Sequence, residues 1–435
     1  MQSAATLHNL SKEQKEAIGL LSIGTFLEYF DLMLYVHMAV LLNELFFPKT
    51  DPYTASIIAA MSFCATFIFR PFGALVFGYI GDTIGRKTTV IITTTIMALS
   101  CFVMANLPTY AQVGITASYL ITICRIVQGM SAMEEVVGAE LYLTESTKPP
   151  IRYPVVTSIN IFSALGATAA LGIASFVVTY GLNWRLAFWA GAGIALVGSV
   201  ARTVLRETPE FVNAKHKMKN TLDEMGVDST TIKQSFIWAE KVNKKTTLAY
   251  FLIQRARPLW FYFIYVHCNS ILKISFDYSA EQIITHTFLV SIVDFIGVVF
   301  LTYLCYRIYP LKIIKVKMAI FGIFILCLPY FMSNISSPSE LFLIQSFLCL
   351  FCVDSSPAAA IFYVHFPVFK RFTYASFLYA LSRALVYIIT SFGLVALTYY
   401  FNNWGLLIIM LPVILGFSFG IFYFEKLEKE AGTYH

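Results

Sequence analysis

Charged side chains are scarce in this chain. Asp, Glu, Lys and Arg together form 13% of its 435 residues, whereas soluble globular proteins carry about 25%. A water-soluble domain is therefore excluded. Hydrophobic residues form 58% of the chain, and a helix that crosses a bilayer needs roughly 20 of them in succession. The composition predicts a polytopic helical membrane protein with about a dozen spans, and it implies the lipid bilayer as a partner.

The chain also lacks the motifs of nucleotide, metal and disulfide chemistry. It has no glycine-rich phosphate loop and no zinc-ligand spacing, so ATP hydrolysis is not the expected energy source. Its 8 cysteines fall within or at the ends of apolar runs, and we expect free thiols. We predict no enzymatic activity, cofactor or metal. We attribute the net charge of +6 to membrane topology rather than to nucleic-acid binding.

Apolar stretches bounded by polar residues, proline or glycine divide the chain into twelve predicted spans. The first six cover 17–42, 53–80, 88–106, 113–143, 153–180 and 185–205. The other six cover 247–270, 283–306, 313–331, 341–366, 372–400 and 404–424. The residues before the first span are polar and mixed in charge, unlike a cleavable signal peptide, so we expect that span to remain in the mature protein.

One long polar stretch, residues 206–246, separates the two sets of six spans. We predict an N-terminal six-helix bundle over 1–205, a cytoplasmic linker over 206–246, and a C-terminal six-helix bundle with a cytoplasmic tail over 247–435. The linker is rich in lysine: Lys215, Lys217, Lys219, Lys233, Lys241, Lys244 and Lys245. We interpret it as a solvated connector, with a lipid or partner site as the alternative.

Positive charge falls almost entirely on one side of the predicted membrane. With the first end in the cytoplasm and the sides alternating, the cytoplasmic side receives the linker and the following residues: Lys12, Lys15, Arg86, Lys87, Lys148, Arg152, Arg307, Lys312, Lys315, Lys317, Lys370, Arg371, Lys426 and Lys429. The opposite side receives only Lys49, Lys273 and, at a helix edge, Arg185. This asymmetry is the positive-inside pattern, and it places both termini in the cytoplasm.

A glycine-bearing turn with a carboxylate and two basic residues follows the second predicted span. It reads Gly78-Tyr-Ile-Gly-Asp82-Thr-Ile-Gly85-Arg86-Lys87. From this spacing we expect Asp82 to cap the N-terminus of the next helix. We expect Arg86 to form an ion pair across a bundle interface. These five residues, Gly78, Asp82, Gly85, Arg86 and Lys87, are the predicted gating loop.

The turn resembles the loop signature of the major facilitator superfamily, and the preceding Arg70-Pro-Phe-Gly is similar to its metabolite:proton symporter branch. A second signature of the superfamily, Arg125-Ile-Val-Gln-Gly, lies in the fourth span and is followed by Glu135 as in that branch. The first span contains Gly-Thr-Phe-Leu-Glu28-Tyr-Phe-Asp31, which also resembles the branch. The resemblance covers nearly all of the first half.

The resemblance implies the major facilitator fold, an all-α membrane protein with twelve transmembrane helices in two pseudo-symmetric six-helix bundles. It also implies alternating access around a cavity at the bilayer midplane. The branch that this chain resembles contains proton-driven importers of proline, glycine betaine, citrate, 2-oxoglutarate and shikimate. We therefore expect a bacterial inner-membrane protein that binds a small organic solute and a proton, and we expect it to be monomeric.

The second half departs from the pattern of this branch. After the eighth span, Tyr306 and Tyr309 stand where the repeated loop signature would have a carboxylate and a glycine. In the tenth span, Val364 stands where an acid is usual. In the fourth span, Met133 and Glu134 replace two usual glycines. The substrate of a named member is therefore not transferred to this chain.

Ionisable residues inside the predicted spans are the candidates for proton coupling and for the cavity, because a charge at bilayer depth costs at least about 2.5 kcal/mol. They are Glu28, Asp31, Arg125, Glu134, Glu135, Asp294, Asp354 and Arg383. Glu28 and Asp31 share one helix face and would hold a proton between them. Arg125 is expected to pair with Glu135 or with Asp31. A static salt-bridge network is the alternative to proton carriage.

Other residues are candidates for contact with the substrate. Arg383 is expected either to hold a substrate carboxylate or to neutralise Asp354. The extra acid Glu134 favours a substrate with a positive group, such as betaine or proline. The remaining candidates for substrate contact are Tyr29, Tyr35, Arg70 and Gln128.

The sequence as a whole predicts a secondary active transporter. We expect proton-coupled import of a small carboxylate or zwitterion by alternating access. One alternative is an efflux antiporter for a siderophore or amphiphile, which the divergent second half permits. Another is a non-transporting membrane receptor on the same scaffold, for which the altered second loop signature is the support.

Overall fold

The computed structural model describes residues 10–49, 64, 66–202, 212–213 and 241–434. Most of the predicted linker over 206–246 lies outside these ranges, as does the first part of the second predicted span. Within the described ranges every regular element is a helix, which confirms the all-α prediction. An apolar environment favours this outcome, because a helix satisfies its own backbone hydrogen bonds.

The first half of the chain contains seven described helices. They are α1 (Lys12–Phe46), α2 (Arg70–Thr83), α3 (Arg86–Asn106), the short α4 (Tyr110–Val113), α5 (Ile115–Ser146), α6 (Arg152–Thr179) and α7 (Arg185–Arg202). Helix α1 begins earlier than predicted because Ser11 and Gln14 form a capping box. Ser11 Oγ accepts from the Gln14 N–H at 3.1 Å, and Gln14 Oε1 accepts from the Ser11 N–H at 2.9 Å.

In the second half, two of the predicted spans, 247–270 and 341–366, are divided into shorter helices. The region of the first comprises α8 (Lys244–Gln254), α9 (Ala256–Tyr262), a π-helical turn (Phe263–His267) and α10 (Cys268–Ser275). Next come α11 (Ala280–Leu304), α12 (Pro310–Ser333), α13 (Pro338–Phe351), a 3₁₀ turn (Ser356–Ala358), α14 (Ala359–Val364), α15 (Val368–Phe401), a 3₁₀ turn (Asn402–Trp404) and α16 (Gly405–Glu430). The predicted spans 247–270 and 341–366 are therefore not continuous helices.

Prolines and one side-chain hydrogen bond explain these interruptions. Pro258 has no N–H to donate to the carbonyl of Gln254, the residue at which α8 ends. Inside the π-helical turn, Gln345 Nε2 donates to the carbonyl oxygen of Ile264 at 2.7 Å. Pro357 lies in the 3₁₀ turn that separates α13 from α14.

By length and composition, six stretches among the described residues are able to cross a membrane. They are Lys12–Tyr35, Lys87–Asn106, Arg152–Val177, Glu281–Leu304, Pro338–Val364 and Val368–Glu430. The last of these contains both α15 and α16, joined by the second 3₁₀ turn. The finding agrees with a multi-pass membrane protein.

The helix ends that carry the predicted loop signature share one face of the molecule. Gln14 near the start of α1 donates to the carbonyl of Ser146, the last residue of α5, at 2.6 Å. Asp82 near the end of α2 accepts hydrogen bonds from Thr373 near the start of α15. We call this the signature face. It carries the start of α1, the end of α16 and the turns α2–α3, α5–α6, α11–α12 and α14–α15.

The two halves of the chain pack along two helix pairs, α2 with α15 and α6 with α11. At the first pair, glycines allow a close approach. A Cβ on Gly78 would lie 2.8 Å from the Cα of Thr373, and a Cβ on Gly81 would overlap the ring of Phe372. Ala74 of α2 and Phe372 of α15 belong to the same buried apolar cluster. The halves therefore share a core at the signature face.

Three tyrosine rings also connect the halves at the signature face. Tyr309, in the α11–α12 turn, packs edge-on against Tyr153 of α6 with ring centroids 5.6 Å apart. On its other side it packs against Tyr434 at 5.1 Å. Its hydroxyl donates to Glu428 Oε2 at 2.7 Å. Tyr309 therefore connects α6, α16 and the residues after α16.

Substitution of Tyr309 tests how much this contact stabilises the fold. Tyr309→Phe keeps the ring but removes the hydrogen bond to Glu428, and we expect a loss of about 1 kcal/mol. Tyr309→Ala also removes the two aromatic contacts, each worth about 0.5–1.5 kcal/mol beyond buried area. The measurement is thermal unfolding of the purified protein in detergent. Tyr399→Phe, at a side chain that is 80% exposed, is the control. Equal stability of the wild type and Tyr309→Ala would contradict the prediction.

Candidate functional site

A cavity of about 70 Å³ lies between the two halves of the chain. Helices α1, α2 and α6 contribute from the first half, and α9, the π-helical turn, α11 and α15 contribute from the second. Its charged and hydroxyl-bearing wall residues are Glu28, Tyr29, Arg70, Ser163, Arg257, Tyr265, Asp294, Arg383 and Tyr387. Two of the four residues predicted to contact a substrate, Tyr29 and Arg70, line this cavity.

Arg257 of α9 connects two carboxylates of the second half. Its Nη2 lies 3.4 Å from Asp294 Oδ2, and its Nη1 lies 3.5 Å from Asp354 Oδ2. Arg383 was expected either to hold a substrate carboxylate or to neutralise Asp354. The structure shows that Arg257, not Arg383, pairs with Asp354. Arg257 is not among the site residues predicted from the sequence. It could have been predicted from the sequence, because it is an arginine within the apolar span 247–270, where a charge is costly.

Arg383 of α15 is buried, with 8% of its surface exposed, and it lines the cavity. Its guanidinium carbon lies 3.2 Å from the centroid of the Tyr379 ring, which is a cation–π contact. Its Nη1 has no hydrogen-bond partner within the described part of the chain. Since guanidinium groups bind carboxylates through paired hydrogen bonds, this side chain is able to bind an anion in the cavity.

Glu28 and Asp31 of α1 are both buried but have different neighbours. Glu28 lines the cavity together with Arg70. Asp31 lies near Cys101 of α3 and Gly191 of α7. Apart from the Cys101 thiol, its carboxylate oxygens have no partner among the described residues. The expected shared site is not formed, because Glu28 faces the cavity whereas Asp31 faces helices α3 and α7.

Two predicted substrate residues instead contact Arg125 of α5. Arg125 Nη1 donates to Gln128 Oε1 at 2.6 Å, and its guanidinium carbon lies 3.6 Å from the centroid of the Tyr35 ring. Gln128 Nε2 in turn donates to Cys101 Sγ at 3.5 Å. Neither Tyr35 nor Gln128 lines the cavity. Asp31 acts on Arg125 electrostatically, but no ion pair joins these two described side chains.

Asp82 of the predicted gating loop binds the other half of the chain rather than the next helix. It accepts hydrogen bonds from the Phe372 N–H at 3.2 Å, the Thr373 N–H at 2.7 Å and Thr373 Oγ1 at 2.7 Å. The expectation that it caps α3 is wrong, because the carboxylate accepts from N–H groups in the second turn of α15, which begins at Val368. Gly85 precedes α3 with φ at 152°, a backbone conformation that favours glycine.

The structure does not describe the side chains of three predicted site residues, Arg86, Glu134 and Glu135. Their backbones lie in α3 and α5. The ion pair predicted for Arg86 and the pairing of Glu135 with Arg125 stay predictions. Lys87 lies partly buried in the first turn of α3.

Two buried carboxylates of α5 join the halves near the signature face. Glu145 Oε1 lies 3.2 Å from Arg371 Nη1 of α15, and both side chains are at most 6% exposed. Glu140 Oε2 accepts a hydrogen bond from the Tyr363 hydroxyl of α14 at 2.6 Å. Glu140 is not among the site residues predicted from the sequence. Its signal was a carboxylate within the fourth predicted span, where a charge is costly.

Comparison with known proteins identifies relatives of the chain. Residues 18–271 match the family model described as sugar (and other) transporter. The proline/betaine transporter of Salmonella typhimurium is 29% identical over 293 residues, which cover 66% of this chain and 57% of that protein. A putative metabolite transport protein of Haemophilus influenzae is 33% identical over 238 residues, which cover 53% of each chain. The chain thus spans little more than half the length of these curated relatives.

Solved structures share the fold at low sequence identity. A proton:xylose symporter, XylE, bound to 6-bromo-6-deoxy-D-glucose has a TM-score of 0.75 at 15% identity, with 95% of each chain covered. The human organic anion transporter MFSD10 has a TM-score of 0.68 at 14% identity, with 95% of this chain and 100% of that chain covered. These matches confirm the predicted major facilitator fold.

The family match extends over more than half of the chain and includes both signatures of the first half. It agrees with the prediction of a transport protein rather than an enzyme. The chain belongs to the sugar (and other) transporter family of the major facilitator superfamily.

Proposed function

We propose that this protein is a secondary active transporter that imports a small carboxylate or a zwitterion, such as betaine or proline, together with protons. The observation that carries the proposal is the cavity between the halves, which is lined by arginines and carboxylates from both. A cavity at the interface of two bundles is where transporters of this architecture bind solutes during alternating access.

The chemistry of the cavity wall supports this substrate class. Arg383 Nη1, which has no hydrogen-bond partner among the residues that the structure describes, is available to donate to a carboxylate. Glu28 brings a negative charge to the cavity wall, and Tyr29 and Tyr387 bring aromatic rings that attract a positive group. A zwitterion has both kinds of group. The small volume of about 70 Å³ also favours a compact solute over a tricarboxylate.

The surroundings of Asp31 support a role in proton coupling. Its side chain is 1% exposed, and among the described residues the Cys101 thiol is the one hydrogen-bond partner of its oxygens. A carboxylate in such a position is costly within a membrane, and a bound proton removes that cost. Protonation would also change the charge balance at Arg125, on which Asp31 acts. We propose Asp31 as a site where the transported proton binds.

Contacts at the signature face would control access to the cavity. The Asp82 contact with α15 and the Arg371–Glu145 ion pair both join the halves there. We propose that both contacts break when the cavity opens to the cytoplasm. The distribution of positive charge supports a cytoplasmic location for this face and for both termini. We further propose that the protein acts as a monomer in a bacterial inner membrane.

Uptake into proteoliposomes tests the proposal and the role of Asp31. We expect radiolabelled glycine betaine or L-proline to accumulate under an imposed inward proton gradient, and a protonophore to abolish accumulation. Asp31→Asn keeps the shape of the side chain but binds no proton, so we expect it to lose accumulation while solute exchange without a gradient persists. Citrate and 2-oxoglutarate are tested in parallel.

The outcomes separate the proposal from its alternatives. Accumulation only under an outward proton gradient would indicate an efflux antiporter. Binding of a solute without any uptake, by a folded and inserted protein, would indicate a receptor. Unimpaired accumulation by Asp31→Asn would contradict the role given to Asp31.

Arg383 is the residue with which to test carboxylate recognition. Arg383→Lys keeps the positive charge but loses the planar pair of N–H donors. Because a hydrogen bond to a charged group contributes about 1.5–3 kcal/mol, we expect the KM for the solute to rise roughly tenfold to a hundredfold. Arg307→Lys, at a residue exposed on the signature face, is the matched control. An unchanged KM in Arg383→Lys would exclude the assigned contact.

A further inference from the structure

Glu140 of α5 is a buried carboxylate that connects the two halves of the chain. It is 5% exposed. Its Oε2 accepts from the hydroxyl of Tyr363 of α14 at 2.6 Å, and its Oε1 accepts from Asn160 Nδ2 of α6 at 3.3 Å. Tyr363 belongs to the second half, whereas Asn160 belongs to the first. The carboxylate therefore forms part of the contact that must break if the halves separate at this level.

Glu140 differs from its neighbour Glu145 in the charge of its hydrogen-bond partners. Glu145 forms an ion pair with Arg371. Both hydrogen-bond partners of Glu140 are neutral, and no ion pair to it occurs among the described side chains. A charge at bilayer depth without an adjacent cation is costly and marks a functional position. This cost disappears when the carboxylate binds a proton.

The position of Glu140 lies between the cavity and the signature face. Along α5, it precedes Glu145 by about 8 Å, from the rise of 1.5 Å per residue. On the cavity side, Arg383 acts on it electrostatically. The groups that face it from the packed elements are Tyr363, Asn160, Tyr250, Tyr379, Arg383 and Asp354. Glu140 therefore lies between Arg383 at the cavity wall and Glu145 at the signature face.

The hydrogen bonds of Glu140 match an ionised carboxylate. An ionised carboxylate accepts hydrogen bonds and donates none, and here the Tyr363 hydroxyl and the Asn160 amide both donate to it. The 2.6 Å separation from the Tyr363 oxygen is the length of a charge-assisted O–H···O⁻ bond. Protonation removes the charge and turns one acceptor oxygen into a donor. The hydrogen bond between the halves is then weaker.

We propose that Glu140 is a second proton-binding residue of this transporter, and that its protonation favours separation of the two halves at the signature face. The inference rests on the proposed proton-coupled transport. It assigns a position for the proton after Asp31 and before the cytoplasm. The proton moves onto a Glu140 oxygen while the halves are in contact and leaves once they have separated.

The test measures the distance between the halves in the absence of any solute. Spin labels are placed at positions 148 and 307, which are exposed on the signature face in different halves, in a background that lacks the exposed Cys327 and the partly buried Cys124 but keeps the buried Cys101 beside Asp31. Distance distributions are recorded in liposomes from about pH 8 to about pH 5. In the wild type we expect the longer distances to gain population as the pH falls. Glu140→Gln, which cannot ionise, should show the longer distances throughout and lose most of this pH dependence.

Two further variants distinguish proton binding from a purely structural role. Tyr363→Phe removes the hydrogen bond but keeps the carboxyl group, so we expect longer distances that still respond to pH. Glu430→Gln, at an exposed carboxylate, should behave as the wild type. Identical, pH-independent distributions for Glu140→Gln and Tyr363→Phe would overturn the proposal, as would a wild-type pH response in Glu140→Gln.

Uptake of radiolabelled glycine betaine and L-proline by the same variants separates failure of this inference from failure of the proposed function. If the wild type accumulates solute and Glu140→Gln accumulates it equally, the role of Glu140 is refuted while proton-coupled transport stands. If the wild type transports no solute under any gradient, the proposed function fails, and the distance measurements still decide whether Glu140 controls the contact. We expect Glu140→Gln to exchange solute but to lose accumulation.

Discussion

The cost of a charged side chain inside a bilayer is the constraint on which the rest of this structure depends. Each such residue costs about 2.5–3.5 kcal/mol at the centre of a helix, and several of the chain's charged side chains lie where the two halves meet. Arg371 pairs with Glu145 across that contact, and Arg257 pairs with Asp294 at the wall of the cavity between the halves. An interface built from polar contacts is easier to separate than an apolar core, because water replaces its hydrogen bonds. The same residues thus stabilise the closed form and permit it to open.

The two related turns of the signature face use different chemistry. In the first half, Asp82 accepts hydrogen bonds from two N–H groups in the second turn of α15. In the second half, where the repeated signature has lost its carboxylate and glycine, Tyr309 contacts Tyr153 of the first half through its ring. The Tyr309 hydroxyl binds Glu428 of α16. The altered signature therefore does not leave the halves without a contact at this position. It replaces a carboxylate contact by an aromatic one that depends on α16.

The sequence predicted the helical architecture well, because apolar runs and glycine-bearing turns are local features. It could not predict partners that are distant in the chain. Asp82 binds α15 instead of the adjacent α3, and Asp354 pairs with Arg257 instead of Arg383. Glu28 faces the cavity, whereas Asp31 faces α3. This difference could not be predicted, because it depends on the rotation of α1 in the bundle. Arg257 and Glu140 were missed because no family signature includes them, although each is a charge within an apolar span.

The central claim is that solute and proton cross the membrane together, and simultaneous flux measurements test it most directly. Proteoliposomes that contain a pH-sensitive dye are mixed with glycine betaine or L-proline, without an imposed pH gradient and with the membrane potential clamped. The account predicts that the lumen acidifies as solute enters, and that Asp31→Asn abolishes the acidification. Entry of solute at the wild-type rate with no change in lumenal pH would contradict it.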